Sequence, residues 1–425
     1  MLLITRLHYI VVSKRQWSRH IKYRRTAAFF GLGACVAATL AIPLFADAGP
    51  ASGPIARYDI RAGTISGMGA MGRGMGAAMG MMFGGGGGNA AQHELLLRLG
   101  SSQAPVKGGP KAEHFMPAGA KLGKSVILTT PKEEAAPVDE LPQKPKGRML
   151  VFWGCGEHAP KGQPVVLDFA KMAAGQMPPG LWTTTIIRDW GPTLANSRTF
   201  GRWPSEDGKY VKADSSLLGP HRIAANYAPE ISFTANQDFM APLRSSARKQ
   251  ATGSTLISWA KLTDATGYLA FLTGGKQGPD GEMGDMVIWT SSASRQFGGG
   301  LSDWLSPGQV AKLVTDKTVL PPSATSCVVP VEVVRAAPDF QFGMLTAFGP
   351  EENFSYPPRP ASASQPWNLE WTARIRHRSM TSWMEAQGMV MGGAQDQQQS
   401  SQGRCKPKGG FGGMLGGVLG GGSGC

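Results

Sequence analysis

From Arg148 to Arg376 the apolar residues come in short runs that Gly or Pro closes. That punctuation is the mark of β-strands. Strands are predicted at Arg148–Trp153, Pro164–Phe169, Leu181–Arg188, Glu230–Thr234, Asp285–Thr290, Ser326–Val334, Phe340–Phe348 and Leu369–Arg376. One helix stands among them. Ser306 is placed to cap it, Pro307 to open it and Gln309 to complete a capping box, and the helix runs to about Val314. Residues 49–65 read as a spacer, Gln92–Leu99 as a short helix and Phe200–Asn226 as loop. Pro105–Lys146 reads as a linker with one strand at Ser125–Thr130.

The ends follow another rhythm. Arg6, Lys14, Arg15, Arg19, Lys22, Arg24 and Arg25 precede an apolar run from Ala27 to Phe45, and Ala46-Asp47-Ala48 follows. A charged region, an apolar region and a small-x-small site in that order describe a secretory signal, cleaved here after Ala48. Two alternatives stay open: retention of Ala27–Ala46 as a membrane anchor, and lipidation at Cys35 in the lipobox-like Leu32-Gly33-Ala34-Cys35. The long basic stretch also leads to the expectation of a translation start near Val11 or Val12.

Met68, Met71, Met75, Met79 and Met82 lie on one face at helical spacing, beside Gly72, Gly76, Gly80 and Gly84. Gly409, Gly413, Gly417 and Gly421 keep the same period of four near the C-terminus. Such ladders let helices pack closely in lipid. They are expected to associate with membrane or with one another, the alternative being low-complexity arms. Gln395–Gln402 reads as disordered.

Composition narrows the partners. The formal charge is +14, and losing residues 1–48, with their seven bases and one acid, leaves +8. The remaining bases are scattered without an aromatic platform, so a nucleic-acid partner is not expected, while weak attraction to anionic polysaccharide or lipid is. Cleavage would also leave four cysteines, Cys155, Cys327, Cys405 and Cys425. In an oxidising compartment these are expected to pair. Three pairings exist, and 155–327 with 405–425 is favoured because each pair then shares a sequence context.

Ser254–Gly274 reads Ser-Thr-Leu-Ile-Ser-Trp-Ala-Lys-Leu-Thr-Asp-Ala-Thr-Gly-Tyr-Leu-Ala-Phe-Leu-Thr-Gly. With Trp259 closing one strand and Gly267-Tyr268 opening the next, it resembles the B–C region of fibronectin type III domains, over about residues 230–294. The resemblance implies a β-sandwich and binding or spacing rather than catalysis. The expected fold is therefore mainly β: one or two immunoglobulin/fibronectin-like sandwiches with a short helix, flanked by disordered Gly/Met-rich arms. The expected organisation is a signal (1–48), a low-complexity segment and linker (49–146), a β-rich domain (147–229), a fibronectin-like domain with extension (230–385) and a tail (386–425).

Cys155-Gly156-Glu157-His158, with His221, is the strongest candidate for chemistry, since thiolate, carboxylate and imidazole are zinc ligands. A disulfide at Cys155 would remove that option. The methionine face suits copper(I), but packing explains it without metal, and no cofactor is expected. Ten of the eleven tryptophans, all those after the signal segment (Trp153, Trp182, Trp190, Trp203, Trp259, Trp289, Trp304, Trp367, Trp371, Trp383), are read chiefly as core, with exposed ones available to stack on sugars. The expected function is a structural or binding role in the cell envelope, with a carbohydrate-binding or adhesive module as alternative and a metal-dependent enzyme at Cys155/His158 as a third.

Overall fold

The computed structural model describes residues 53–71, 91–131, 147–174, 176, 187–205, 210–277, 283–295, 300–301, 304–362, 365–386 and 389–391. The signal segment with Ala46 and Ala48, the Met75–Gly88 ladder, the tail with Cys405 and Cys425, and most of the strand expected at Leu181–Arg188 lie outside them. Among the described residues no helix is long and apolar enough to cross a membrane.

The body is mainly β. Its strands in chain order are β1 (Ala56–Gly67), β2 (Ala91–Ser101), β3 (Ala112–Phe115), β4 (Ser125–Ile127), β5 (Arg148–Trp153), β6 (Val165–Asp168), β7 (Thr199–Trp203), β8 (Tyr210–Val211) and β9 (Gly219–Ala225). They continue as β10 (Ile231–Ala235), β11 (Ser245–Lys249), β12 (Thr255–Trp259), β13 (Gly267–Gln277), β14 (Met283–Thr290), β15 (Ser326–Val329), β16 (Phe340–Tyr356), β17 (Trp371–Ala386) and β18 (Met389–Met391). Among the described residues three short α-helices join them: α1 (Phe169–Ala173), α2 (Pro307–Thr315) and α3 (Val331–Ala336).

One large sheet runs β6-β5-β14-β13-β16-β17-β1-β2-β7, with β8 on β2 and β18 on β17. A four-stranded sheet, β10-β9-β3-β4, and a three-stranded sheet, β11-β12-β15, complete the set. Among the described residues their apolar side chains form two large cores, with a smaller cluster of Leu269, Val310, Leu313 and Phe348 around α2 and another of Val151 and Leu167 at β5 and β6. Core one gathers Tyr58, Ile60, Leu95, Leu97, Leu99, Ile223, Ile231 and Ile375. Core two gathers Ile257, Trp259, Tyr268, Trp289, Val329, Leu345 and Trp383. The hairpin β16–β17 passes through both: Ile375 lies in the first, Leu345 and Trp383 in the second, and a register shift between Phe348 and Glu351 marks the passage.

The chain crosses this seam once more in residues 236–244, and the sheet holds it there by side chains. Thr64 Oγ1 donates to the carbonyl of Met240 at 2.6 Å, Ser66 Oγ to that of Leu243, and Ser379 Oγ to that of Ala241 at 2.8 Å. Leu243 N–H donates back to Ser379 Oγ at 2.9 Å. Buried hydroxyls thus satisfy an irregular backbone that pairs with no strand.

Several expectations need correction. Residues 49–65 are not a spacer: β1 is a buried strand between β2 and β17. Gln92–Leu99 is not helical, because His93, Leu95, Leu97 and Leu99 alternate with less buried residues at the period of a strand. Met68–Met71 closes β1 as a single 3-10 turn. The linker contains β3 as well as β4, and Phe200–Asn226 contains β7, β8 and β9. The strand at Ser326 stops at Pro330, which opens α3. The strands from Phe340 and Leu369 extend to Tyr356 and Ala386. At α2 sequence and structure agree: Ser306 Oγ accepts from Gln309 N–H at 3.3 Å, and Gln309 Oε1 accepts from Ser306 N–H at 2.8 Å.

Candidate functional site

Along β1, Tyr58, Ile60 and Ala62 enter core one, so Arg57, Asp59, Arg61 and Gly63 take the opposite face. The register sets this charged row beside others. Asp59 pairs with Arg98 of β2 and Arg374 of β17, Arg61 with Arg376, and Gly63 with Glu94 and Arg378. The non-strand segment 187–198 lies over this face and lowers Asp189 into it.

Two carboxylates and four guanidiniums meet there. Asp59 accepts from Arg61 Nε at 3.0 Å, Arg374 Nε at 2.9 Å and Arg376 Nη2 at 3.0 Å. Asp189 accepts from Arg61 and from Arg376 Nη2 at 3.0 Å, with Arg374 at 3.5 Å and Arg98 at 3.9 Å. Arg376 Nη1 donates to the Trp304 carbonyl. The side chains of Asp59 and Arg376 are each 2% exposed, that of Asp189 23% and that of Arg98 28%, so solvent reaches the cluster from the Asp189–Arg98 side. Burial pushes both carboxyls up, but the arginines outweigh it: Arg376, Arg61 and Arg374 hold Asp59 below the usual carboxylate range, and Arg61 and Arg376 hold Asp189 at about 2. Both acids are therefore ionised at neutral pH.

Glycines let the covering pieces approach. A Cβ on Gly191 would meet the carboxylates of Asp59 and Asp189 at 3.2 and 3.3 Å, and one on Gly63 would meet Trp304 at 3.1 Å. Trp304 in turn carries Arg378 over its ring at 3.9 Å, and Arg378 pairs with Glu94 at 2.9 Å.

A second buried polar group lies in core one. Tyr58 Oη is 2.8 Å from His114 Nδ1, His114 Nε2 is 3.0 Å from His221 Nδ1, and His221 Nε2 is 2.7 Å from the Leu217 carbonyl. A carbonyl only accepts, so the direction follows: His221 Nε2–H donates to Leu217, His114 Nε2–H to His221, and Tyr58 Oη–H to His114. Each ring is then neutral, and burial lowers both imidazoles from their ordinary value. This chain holds β1, β3 and β9 together and presents no free ligand atom.

The residues singled out by sequence are dispersed. Cys155 is bonded to Cys327, which ties the loop after β5 to β15. His158 is exposed and pairs with Glu332 at 2.9 Å, while His221 belongs to the buried chain of core one. Cys155, Glu157, His158 and His221 therefore do not converge on a metal: a bonded cysteine offers no thiolate and His221 spends both nitrogens. Among the described residues no group of three or more His, Cys, Asp or Glu is placed to hold a metal ion. Trp259 ends β12 and Tyr268 opens β13 in the facing sheet, with ring centroids 5.4 Å apart and the Tyr268 hydroxyl accepting from Leu262 N–H at 2.9 Å. A Cβ on Gly267 would meet Val310 and Val319 at 2.8 Å, so the position admits only glycine without rearrangement.

Trp203, Trp259, Trp289, Trp304, Trp371 and Trp383 are buried, Trp153 and Trp367 half-buried, and Trp190 is 68% exposed beside the charged cluster. That cluster was missed in sequence, although alternation of Arg374, Arg376 and Arg378 with apolar neighbours was the available signal. The chain matches no protein-family model, and no curated protein is similar to it in sequence.

Proposed function

We propose that this chain is an exported envelope protein with a structural or binding role, carried on a covalently tied β body. The observation that carries the reading is the Cys155–Cys327 bond, which joins residues 172 apart in sequence. Disulfides form and persist in oxidising compartments. The basic and apolar N-terminal pattern supplies the route there, and the packing of Trp259 on Tyr268 supports a fibronectin-like arrangement of β12 and β13. The glycine-laddered ends are the parts proposed to meet membrane or a second copy. Cell fractionation with N-terminal sequencing tests the proposal. A mature chain beginning near Gly49 in the periplasm, outer membrane or medium is expected; full-length protein in the cytoplasm with free thiols at Cys155 and Cys327 would end it. Deleting Gly409–Cys425 tests the ends, since unchanged membrane partition and oligomer size would remove their role.

A second reading, binding of envelope polysaccharide, is favoured by one observation: Trp190 stands exposed next to a solvent-reached arginine cluster. Flat aromatic faces beside hydrogen-bonding groups suit sugar rings.

A further inference from the structure

We propose that Arg98 and Arg374 form the mouth of an oxyanion subsite that takes the carboxylate of an acidic saccharide, with Trp190 beside it as the stacking surface. The sugar half of this inference rests on the polysaccharide reading above; the anion half does not. Four guanidiniums surround two carboxylates, so the cluster among the described residues carries two uncompensated positive charges. Ion clusters removed from water are expected to be balanced, because an unpaired buried charge loses its hydration without gaining a partner.

The unused donors locate the imbalance. The Arg98 guanidinium has Asp189 as its nearest acid among the described residues, at 3.9 Å and beyond hydrogen-bond reach. Arg376 Nε is buried without an acceptor. Burial, Arg61 and Arg376 lower the Arg98 guanidinium from its ordinary value, against the opposing pull of Asp59 and Asp189. A half-buried guanidinium with unused donors beside open solvent is suited to an anion from outside the chain.

Asp189 shows what the cradle accepts. It is a carboxylate delivered from outside the sheet, seated against Arg61 and Arg376 and partly open to solvent. Planar guanidinium forks match planar carboxylates in two-point pairing. The remaining donors, on the open side with Arg374, would take a second such group. Trp190 is the next residue after Asp189 and is exposed, and it is the stacking surface proposed for the sugar ring.

The test uses the full chain and calorimetric titration with trigalacturonate, its methyl ester and a hexa-aspartate peptide. The acid trimer is expected to bind, the ester at least about tenfold more weakly, and Arg98→Gln to lose about tenfold for the acid alone. Trp190→Ala is expected to weaken acid and ester alike. Arg98→Gln is expected to melt near the wild-type temperature, because the Arg98 side chain stands 3.9 Å from its nearest acid and is partly exposed; a clear drop with unchanged binding would make Arg98 structural and overturn the subsite. Equal binding of acid and ester would overturn the anion subsite and leave the saccharide reading. Arg98-dependent binding of the peptide without the trimer would keep the subsite and overturn the saccharide. No binding by trimer or peptide would overturn both.

Discussion

Core one buries Tyr58, His114 and His221 as a hydrogen-bonded chain and backs onto a face of six charged groups, whereas core two is filled by Trp259, Tyr268, Trp289 and Trp383 and is tied at its margin by a disulfide. Both lie beneath the same large sheet, and one hairpin runs through them. Neutral imidazoles and ionised carboxylates make the first dependent on protonation state. Indole burial and a covalent bond make the second dependent on volume and redox state. Conditions should therefore separate two cores that the backbone joins.

Acid should separate them most. Burial lowers the imidazoles of His93, His114, His221 and His377, the last to about 4. The folded state keeps these rings neutral where the unfolded chain, titrating near ~6.5, takes up protons. Stability is then complete above about pH 6.5 and falls below it, by about 1.4 kcal/mol per pH unit for each ring that stays neutral. Hydrogen exchange between pH 7 and 5 should show β1, β2, β3 and β9 losing protection before β12, β13 and β14. Uniform loss would break the comparison.

Trp289→Ala attacks the other core. Trp289 is fully buried, and its Nε1–H donates to the Gly154 carbonyl at 2.8 Å. Removing it leaves a cavity and an unsatisfied acceptor, a cost of about 3–5 kcal/mol in urea unfolding. The pH dependence of β1 to β3 protection should persist in this variant. Replacing Cys155 and Cys327 together by serine should cost about 2–5 kcal/mol by the same assay, and reductant should weaken wild type by a similar amount while leaving the double variant unchanged. The smallest effect belongs to neither core. Lys312 and Asp316 form an exposed pair one turn apart on α2, at 2.9 Å, and Lys312→Ala should shift stability by no more than about 0.5 kcal/mol.

How much was legible depends on how local each cause is. α2 was readable because Ser306, Pro307 and Gln309 act within one turn. Strand β5 was readable because an apolar run between Gly147 and Gly154 leaves few alternatives, β14 because of its apolar run Met286–Trp289, and β12 through the fibronectin-like phrase that ends in Trp259. β2 was misread because Leu95, Leu96, Leu97 and Leu99 supply apolar residues at both helical and strand spacing, and only pairing with β1 and β7 selects the strand. β1 was passed over because its run holds Arg57, Asp59 and Arg61, which look solvent-exposed until Arg374, Arg376 and Asp189 arrive to pair with them.

By itself the sequence determined a mainly β body, the cap of α2, and the favoured partnership of Cys155 with Cys327, because each rests on short-range spacing or on shared local context. The tertiary structure alone decided that two cores share one sheet, that His114 and His221 spend their nitrogens on each other and on Leu217, and that charges from positions 59, 98, 189 and 376 meet under one loop. Those contacts join residues far apart in the chain, and their energies come from desolvation and pairing that exist only once the sheet has assembled.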